Sequence, residues 1–494
     1  MLTIGIEFIT GRYHANPWGR NVNESEIEWP PSPYRIIRAL YDVCKRKMPE
    51  LDEPVISGMI ERLSSELPVF ELPDAKTFTY GVYLSENSKD SSKKQLVFDS
   101  FVSVSPKCLV KVRWESLAMD ETDKEYLREI LKRVGYLGRS ESLVRMTLLD
   151  QTTFSENSYP ADRNSIGHED METVTVAVPV SKKDYESRGR TDWINALMDN
   201  ITINDGKRHS SRASRGRGFT NPPALKFSKY KRRKDCFNPD RKINQADFRS
   251  DINAILFALD STVLPMLEDT VLISDRIHRK LVGIYSKKYG ASSISERFTG
   301  KDKDGNPLKG HRHIYIIPLD IDNDQRLDHM LIKMKESFTL EELGVLSHLN
   351  SLWQAGGKPD IKILPVEMGN TGQLSGFQNS RLFRSETPFI PPRHYRRGRG
   401  DHTEWLAGEL KREATNHGLP EPVNVKVMDM LKKRGRSIRW LDFKRSRKYV
   451  PESSGYGFEI EFSEPVKGVF TLGYGSHYGL GLFVPMNGKD ENGR

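Results

Sequence analysis

Cysteine is scarce in this chain. Its 494 residues include only Cys44, Cys108 and Cys236, which lie far apart. No Cys-x-x-Cys pair exists, so there is no thiolate zinc site of the usual spacing. An odd, sparse count suits a reducing compartment better than a disulfide framework. Long apolar runs are missing too, and none approaches the roughly eighteen residues needed to span a bilayer. The N-terminus, Met1-Leu2-Thr3-Ile4-Gly5-Ile6-Glu7, carries no charged lead-in of the secretory kind and reads as a strand. These absences predict a cytoplasmic protein without membrane contact. With 37% hydrophobic and 29% charged residues, the composition is that of a folded chain long enough for two to four domains.

Charge is plentiful, and its placement is uneven. The net charge of +9 is modest. Between Asn204 and Ala246, however, 13 Lys/Arg stand against three Asp, and between Lys426 and Lys448 ten stand against two. Both runs are interleaved with aromatics: Phe219, Phe227, Tyr230 and Phe237 in the first, Trp440, Phe443 and Tyr449 in or beside the second. A basic run alone is often a solvated face. Basic runs carrying rings fit single-stranded nucleic acid, whose bases stack on rings while cations hold the backbone. The residues singled out are Arg215, Arg217, Lys231, Arg232 and Arg233 in the first run, and Arg436, Arg439, Lys444 and Arg445 in the second. Two loops share this chemistry. Arg12-Tyr13-His14 with Trp18, Asn23 and Trp29 is one, and Arg393, Arg396, Arg397 and Arg399 around Gly398 and Gly400 is the other.

Near the C-terminus, Gly473-Tyr474-Gly475-Ser476-His477-Tyr478-Gly479-Leu480-Gly481 places four glycines in nine positions. Phe458–Phe462 before it and Leu480, Leu482 and Val484 after it alternate as strands do. A glycine-rich loop between strands can offer backbone N–H groups to a phosphate. Neither a Gly-Lys-Ser/Thr sequence nor a following helix is present, so the P-loop and dinucleotide fingerprints both fail.

Periodicity organises the chain into two α+β blocks with a basic stretch between them. Strands are expected at 2–10, 77–84, 95–104, 108–114 and 172–180. A helix follows Ser32, a good N-cap, with Pro33 at its first position, and another spans Thr122 to Val134. The 206–247 stretch has little periodicity and reads as a linker or arm. After it come a strand at Ile252–Leu259, a helix at Met266–Tyr285, a strand at His313–Leu319, a helix at Glu341–Trp353 and strands at 361–367 and 458–472. The expected domains are therefore 1–205 and 248–494, each beginning as a ferredoxin-like unit does.

Gly310-His311-Arg312-His313-Ile314-Tyr315 is the densest histidine motif. In a strand, His311, His313 and Tyr315 would share one face. Two imidazoles and a phenol together suit general acid–base work, such as attack of an RNA 2′-hydroxyl on its neighbouring phosphate without metal. The competing reading is one structural and one exposed histidine. His278, on the helix after the first strand of the second block, stands behind them as a further catalytic candidate. The run Asp320-Ile321-Asp322-Asn323-Asp324 through Asp328-His329 has oxygens at alternate positions like the start of a calcium loop, but it lacks the glycine and the final glutamate. A polar turn with Asx bonds is the simpler reading. His329 with His311 or His313 is a remoter metal possibility. No cofactor or metal is expected.

Several segments together resemble one CRISPR protein family. They are Phe8-Ile9-Thr10-Gly11-Arg12-Tyr13-His14-Ala15, Glu28-Trp29-Pro30-Pro31-Ser32-Pro33-Tyr34-Arg35, Leu137-Gly138-Arg139-Ser140-Glu141-Ser142, Gly310-His311-Arg312-His313, the Asp-rich turn ending Asp328-His329, and the terminal glycine run. The family is the fused subunit of subtype I-G (formerly I-U) Cascade complexes, of the RAMP superfamily. The resemblance spans the chain in order. It implies tandem ferredoxin-like/RRM domains, the first half holding the crRNA 5′ handle and the second cutting pre-crRNA in the repeat without metal, leaving a 2′,3′-cyclic phosphate. It implies crRNA, the other Cascade subunits and, through the complex, target DNA as partners. It adds Arg35 and Arg139 to the RNA contacts and makes Gly473, Gly475, Ser476, His477, Gly479 and Gly481 a backbone-gripping loop, with His477 a contact and not the base. His311 and His313 would carry the chemistry. A binding subunit without catalysis is the alternative.

Overall fold

The structure is a computed structural model. It describes residues 1–19, 25–85, 94–105, 107–150, 152–163, 170–199, 221–237, 250–308, 310–354, 359–374, 377–395, 401–443 and 455–486. Arg215, Arg217, Arg396, Arg397, Lys444 and Arg445 lie outside these residues. The chain divides into two compact units, Met1–Phe248 and Arg249–Arg494.

In the first unit the helix Pro33–Lys47 begins at Ser32, whose hydroxyl accepts the Arg35 N–H, and buries Ile36, Ile37, Leu40, Val43 and Cys44. The helix Glu53–Ser65, which periodicity did not single out, follows it. Four antiparallel strands lie side by side in the order Val144–Leu148, Leu2–Phe8, Leu109–Trp114, Val69–Glu71. Chain order and sheet order together are those of a ferredoxin-like unit. A long hairpin, Ala75–Ser85 with Lys94–Val104, interrupts it.

The same sheet continues through Ser158–Pro160, Leu225–Arg233 and Met171–Pro179. This corrects the reading of 206–247 as a linker, because Leu225–Arg233 pairs along its whole length with Met171–Pro179. Tyr230 and Arg232 turn inward there while Lys229 and Arg233 face out. The inward face carries Lys226, Ser228 and Arg232 while Phe227 faces out, so no apolar alternation marks the strand.

The second unit repeats the ferredoxin-like order twice. Its first sheet runs Tyr315–Leu319, His329–Lys333, Ala254–Asp260, Ile361–Gly369, with Ser351–Leu352 at the edge. Its second sheet runs Pro422–Met428, Gly457–Lys467, Asn379–Ser385, Leu482–Pro485, with Phe470–Thr471 at the edge. The first sheet carries the helices Thr270–Tyr289 and Leu340–Leu346, and the second carries His402–Asn416. Where the second sheet would have its other crossover helix, it has the glycine-rich loop. Ile317 and Leu331 of one sheet share a core with Val469 and Leu482 of the other.

Two helix expectations shift. The first starts at Thr270, after a short 3₁₀ turn over Leu267–Asp269. The second runs only over Leu340–Leu346, opened by a Thr339/Glu342 capping box, because the chain then turns to add Ser351–Leu352 to the sheet edge.

Candidate active site

The histidine motif is not a strand where it matters. Gly310 and His311 both have left-handed backbone, with φ of 74° and 53°, and the strand begins only at Tyr315. A side chain in that region costs of the order of 1–3 kcal/mol. The turn nevertheless brings His311, His313 and Tyr315 around one residue, His477. The His477 ring stacks on His313 with centroids 3.3 Å apart, on Tyr315 at 3.8 Å and on His311 at 5.6 Å. His417, immediately after the helix His402–Asn416, lies 4.3 Å from the His311 ring.

His477 is held by the glycine loop. It sits in a single 3₁₀ turn, Ser476–Tyr478, flanked by Gly475 and Gly479 in left-handed conformation. At Gly479 a Cβ would lie 2.8 Å from Thr270 Cγ2. At Gly481 it would lie 1.9 Å from the Leu472 carbonyl oxygen. These two glycines are therefore required by the protein's own close packing. Ser476 is likewise buried.

The hydrogen bonds fix the tautomers. His477 Nδ1 lies 3.2 Å from the Ile314 carbonyl oxygen, which can only accept, so Nδ1 carries the proton. His477 Nε2 is then an acceptor, and it faces His311 Nδ1 at 3.3 Å. His311 must donate there from Nδ1, which leaves His311 Nε2 with an open lone pair. Burial first, then the neighbouring His313, push the His477 imidazolium down to about 2, so it stays neutral and keeps this arrangement. His417 is lowered to about 4 by burial, His311, Lys333 and Lys335.

A cavity of about 270 Å³ opens beside these rings, lined by His311, Tyr315, Lys333, Lys335, His417 and Thr471 among others. Lys333 is only partly covered, yet desolvation by its surroundings pulls its ammonium down to about 8. Its Nζ lies 5.8 Å from the Tyr315 ring centroid and donates to the Val469 carbonyl at 3.3 Å. The Tyr315 phenol is raised by burial and by Glu413, so it stays protonated and cannot serve as a base near neutrality. Two polar atoms of the cavity residues, His417 Nε2 and Thr471 Oγ1, are buried without a hydrogen-bond partner among the described residues. The arrangement offers one imidazole base, a cation of reduced basicity and unspent polar atoms, as proton transfer at a phosphate requires.

His278 is spent differently. Its Nε2 meets the Phe298 carbonyl at 2.7 Å, and its ring packs edge-on to Tyr478. The nitrogen that donates to this carbonyl cannot take a proton, so any catalytic part for His278 falls to its Nδ1.

The Asp-rich turn forms its Asx bonds. Asp320 accepts from the Asp324 and Gln325 N–H groups, and Asp328 accepts from those of Ile321 and Asp322. Asp320 also meets the buried Lys433 at 2.8 Å, and Lys433 pairs in turn with Glu386. Asp320, Asp322 and Asp328 form a close carboxylate group, and among the described residues no histidine joins it as a metal cluster. His329 lies 3.0 Å from Asp328.

The first unit reorders the RNA expectations. Tyr13, His14 and Trp29 are almost fully buried, so they cannot offer faces to a base. His14 is clamped between Asp99 at 2.7 Å and Glu141 at 2.6 Å. Tyr13 donates to Glu28, which also holds Arg35 through two hydrogen bonds of 2.8 Å. Arg139 pairs with Asp99, and Arg12 lies over the Phe101 ring at 4.1 Å. Arg232 is buried against Glu172 and the Trp29 carbonyl, which corrects its reading as a surface contact. Arg233 pairs with Asp235.

Lys231 and Trp18 keep partial exposure and Arg393 is exposed. In the second unit, Arg436 pairs with Glu268 and Arg439 with Asp442. Sequence reasoning did not find Lys333 or His417. His417 follows a helix and precedes Gly418, a common stop signal, and nothing in its spacing links it to position 311.

No protein-family model matches the chain, and no curated protein matches it. Solved structures of low similarity do. One, a Csf5 described as a CRISPR-Cas type IV Cas6 crRNA endonuclease, is 13% identical, with 48% of this chain and 99% of that chain covered and a TM-score of 0.23. A Cas6b is 13% identical, covering 47% of this chain and all of that one, with a TM-score of 0.22. A RAMP protein described as binding different RNA substrates is 13% identical, covering 48% and 99%, with a TM-score of 0.24.

Proposed function

We propose that the second unit is a metal-independent endoribonuclease. The observation that carries this reading is the hydrogen-bonded chain Ile314 carbonyl, His477, His311, which leaves His311 Nε2 as a base beside a basic cavity. In this reading His311 Nε2 takes the proton of an RNA 2′-hydroxyl. The 2′-oxygen attacks the adjacent phosphorus, and the bond from phosphorus to the 5′-oxygen breaks. Lys333 stabilises the charge on phosphorus and gives a proton to the departing 5′-oxygen. The products are a 2′,3′-cyclic phosphate and a 5′-hydroxyl. His477 is a positioning residue, and Tyr315 and His417 shape the cavity wall.

The sequence resemblance supports the finer reading that the RNA is pre-crRNA cut in its repeat, that the first unit holds the 5′ handle, and that the chain works as a Cascade subunit in antiviral defence. The test is cleavage of labelled repeat RNA in excess EDTA by wild type and by His311→Ala and His313→Ala. Loss of cleavage in His311→Ala with RNA binding retained supports the assignment. Binding without cleavage by wild type returns the reading to a non-catalytic crRNA-binding subunit.

A further inference from the structure

The first unit holds a cavity of about 470 Å³ that the cleavage chemistry does not use. That volume is in the range of small-molecule sites. Trp18, Trp29 and Phe227 contribute its aromatic lining, together with Asn221 and the strand residues Val174–Ala177. Phe227 stands out from its strand with 45% of its surface exposed. Trp29 is buried and fixed, its ring 6.1 Å from that of Tyr13.

Both tryptophans bear an indole N–H that is buried and has no acceptor among the described residues. Elsewhere in the same unit buried indoles are satisfied: Trp114 donates to the Leu63 carbonyl at 3.0 Å and Trp193 to the Val180 carbonyl at 2.7 Å. A buried donor left unmatched costs about 1–3 kcal/mol. Two such donors belong to residues that line one cavity, beside an exposed ring, where an acceptor brought in by a ligand would relieve them.

The partner must be planar, to lie on Phe227, and must carry acceptors on an edge, to meet the indole N–H groups. A nucleobase meets both conditions, since every base has a stacking face and carbonyl or ring-nitrogen acceptors. Glu26 and Asn221, also at the cavity, can receive the amino groups of such an edge. The N–H groups are covered as the wall stands, so entry of a base requires the half-exposed Trp18 or the exposed Phe227 to move.

We propose that this cavity binds one nucleobase edge-on to Trp18 and Trp29 and face-on to Phe227. The base comes either from a free nucleotide or from one everted residue of a bound RNA strand. The proposal is independent of the cleavage reading, because it concerns binding by the other unit and survives a failure of the His311 test.

The full chain is titrated with AMP, GMP, CMP and UMP separately, and with short oligoribonucleotides of each base, while tryptophan fluorescence is followed. The expected result is saturable quenching that differs among the four bases. Trp18→Phe, which keeps the ring and removes the N–H, should weaken binding about three- to tenfold. Phe227→Ala, at an exposed position, should weaken it at least about fivefold. Binding of mononucleotides identifies a free nucleotide as sufficient. Base-dependent binding of oligonucleotides alone, lost in the same variants, identifies the everted residue. No saturable binding of either probe, or binding that both variants leave unchanged, overturns the proposal.

Discussion

His311 Nδ1 faces His477 Nε2 at 3.3 Å across 166 positions of sequence, and the Ile314 carbonyl behind His477 decides which of the two rings donates. The two imidazoles act as a unit in this account, one as base and one as the group that sets its tautomer. His311→Ala and His477→Ala should each lower the single-turnover rate by about 10²–10⁴. The double variant should be little slower than His311→Ala alone, as residues acting together are non-additive. Additive losses would show that His477 acts elsewhere. RNA affinity of the His477 variant, measured beside the rate, should stay within a few-fold of wild type.

Lys333 supplies a pH signature. Its ammonium is pulled down to about 8 by desolvation, so the proton it donates is present below that pH and lost above it. The cleavage rate should fall as pH rises through about 8. Lys333→Arg keeps the charge to far higher pH, so in that variant the alkaline fall should disappear while the rate at pH 7 drops. A rate–pH profile of the two proteins checks this.

Stability should fall on the acid side. His417 and His477 titrate lower in the folded state than in the unfolded chain, at about 4 and about 2. The unfolded chain therefore binds more protons below the ordinary histidine range, near 6.5. The melting temperature should fall as pH drops from 7 toward 4, and His417→Gln should flatten that slope. Equal slopes in wild type and variant would contradict the burial argument.

The glycine loop gives a structural prediction. Gly481 combines φ of 61° with a Leu472 carbonyl oxygen 1.9 Å from where a Cβ would stand. Gly481→Ala should cost about 1–3 kcal/mol or more, seen as a lower denaturation midpoint. It should also slow cleavage by displacing His477. Gly283, on the helix Thr270–Tyr289 with open space about it, is the control, and Gly283→Ala should leave both unchanged or slightly improved.

Much of this architecture was readable from the sequence. Ser32-Pro33 placed a helix start, and alternation placed Leu2–Phe8 and Met171–Pro179 to within a residue or two. The strand Leu225–Arg233 escaped notice because Lys226, Ser228 and Arg232 occupy its inner face and Phe227 its outer one, which erases the apolar rhythm that alternation depends on. The site was half legible. His311, His313 and Tyr315 stood out as a local motif, though a left-handed turn and not strand alternation brings them together. Lys333, His417 and the central place of His477 come from three other elements of the second unit. His417 and His477 lie more than 100 positions from His311, and Lys333 meets Tyr315 through strand pairing, so none leaves a local period to detect. Tyr13, His14 and Trp29 have the composition of an RNA-stacking loop, and only burial distinguishes such a loop from a core.

The central claim is that His311 activates an RNA 2′-hydroxyl without metal. It is tested most directly with an RNA bearing a single 2′-deoxy nucleotide at the cleavage position mapped on the all-ribose parent, incubated with wild-type protein in excess EDTA. The account predicts cleavage of the parent to a 2′,3′-cyclic phosphate and undiminished binding but no cleavage of the deoxy strand. Cleavage of the deoxy strand, or activity that EDTA abolishes, would contradict it.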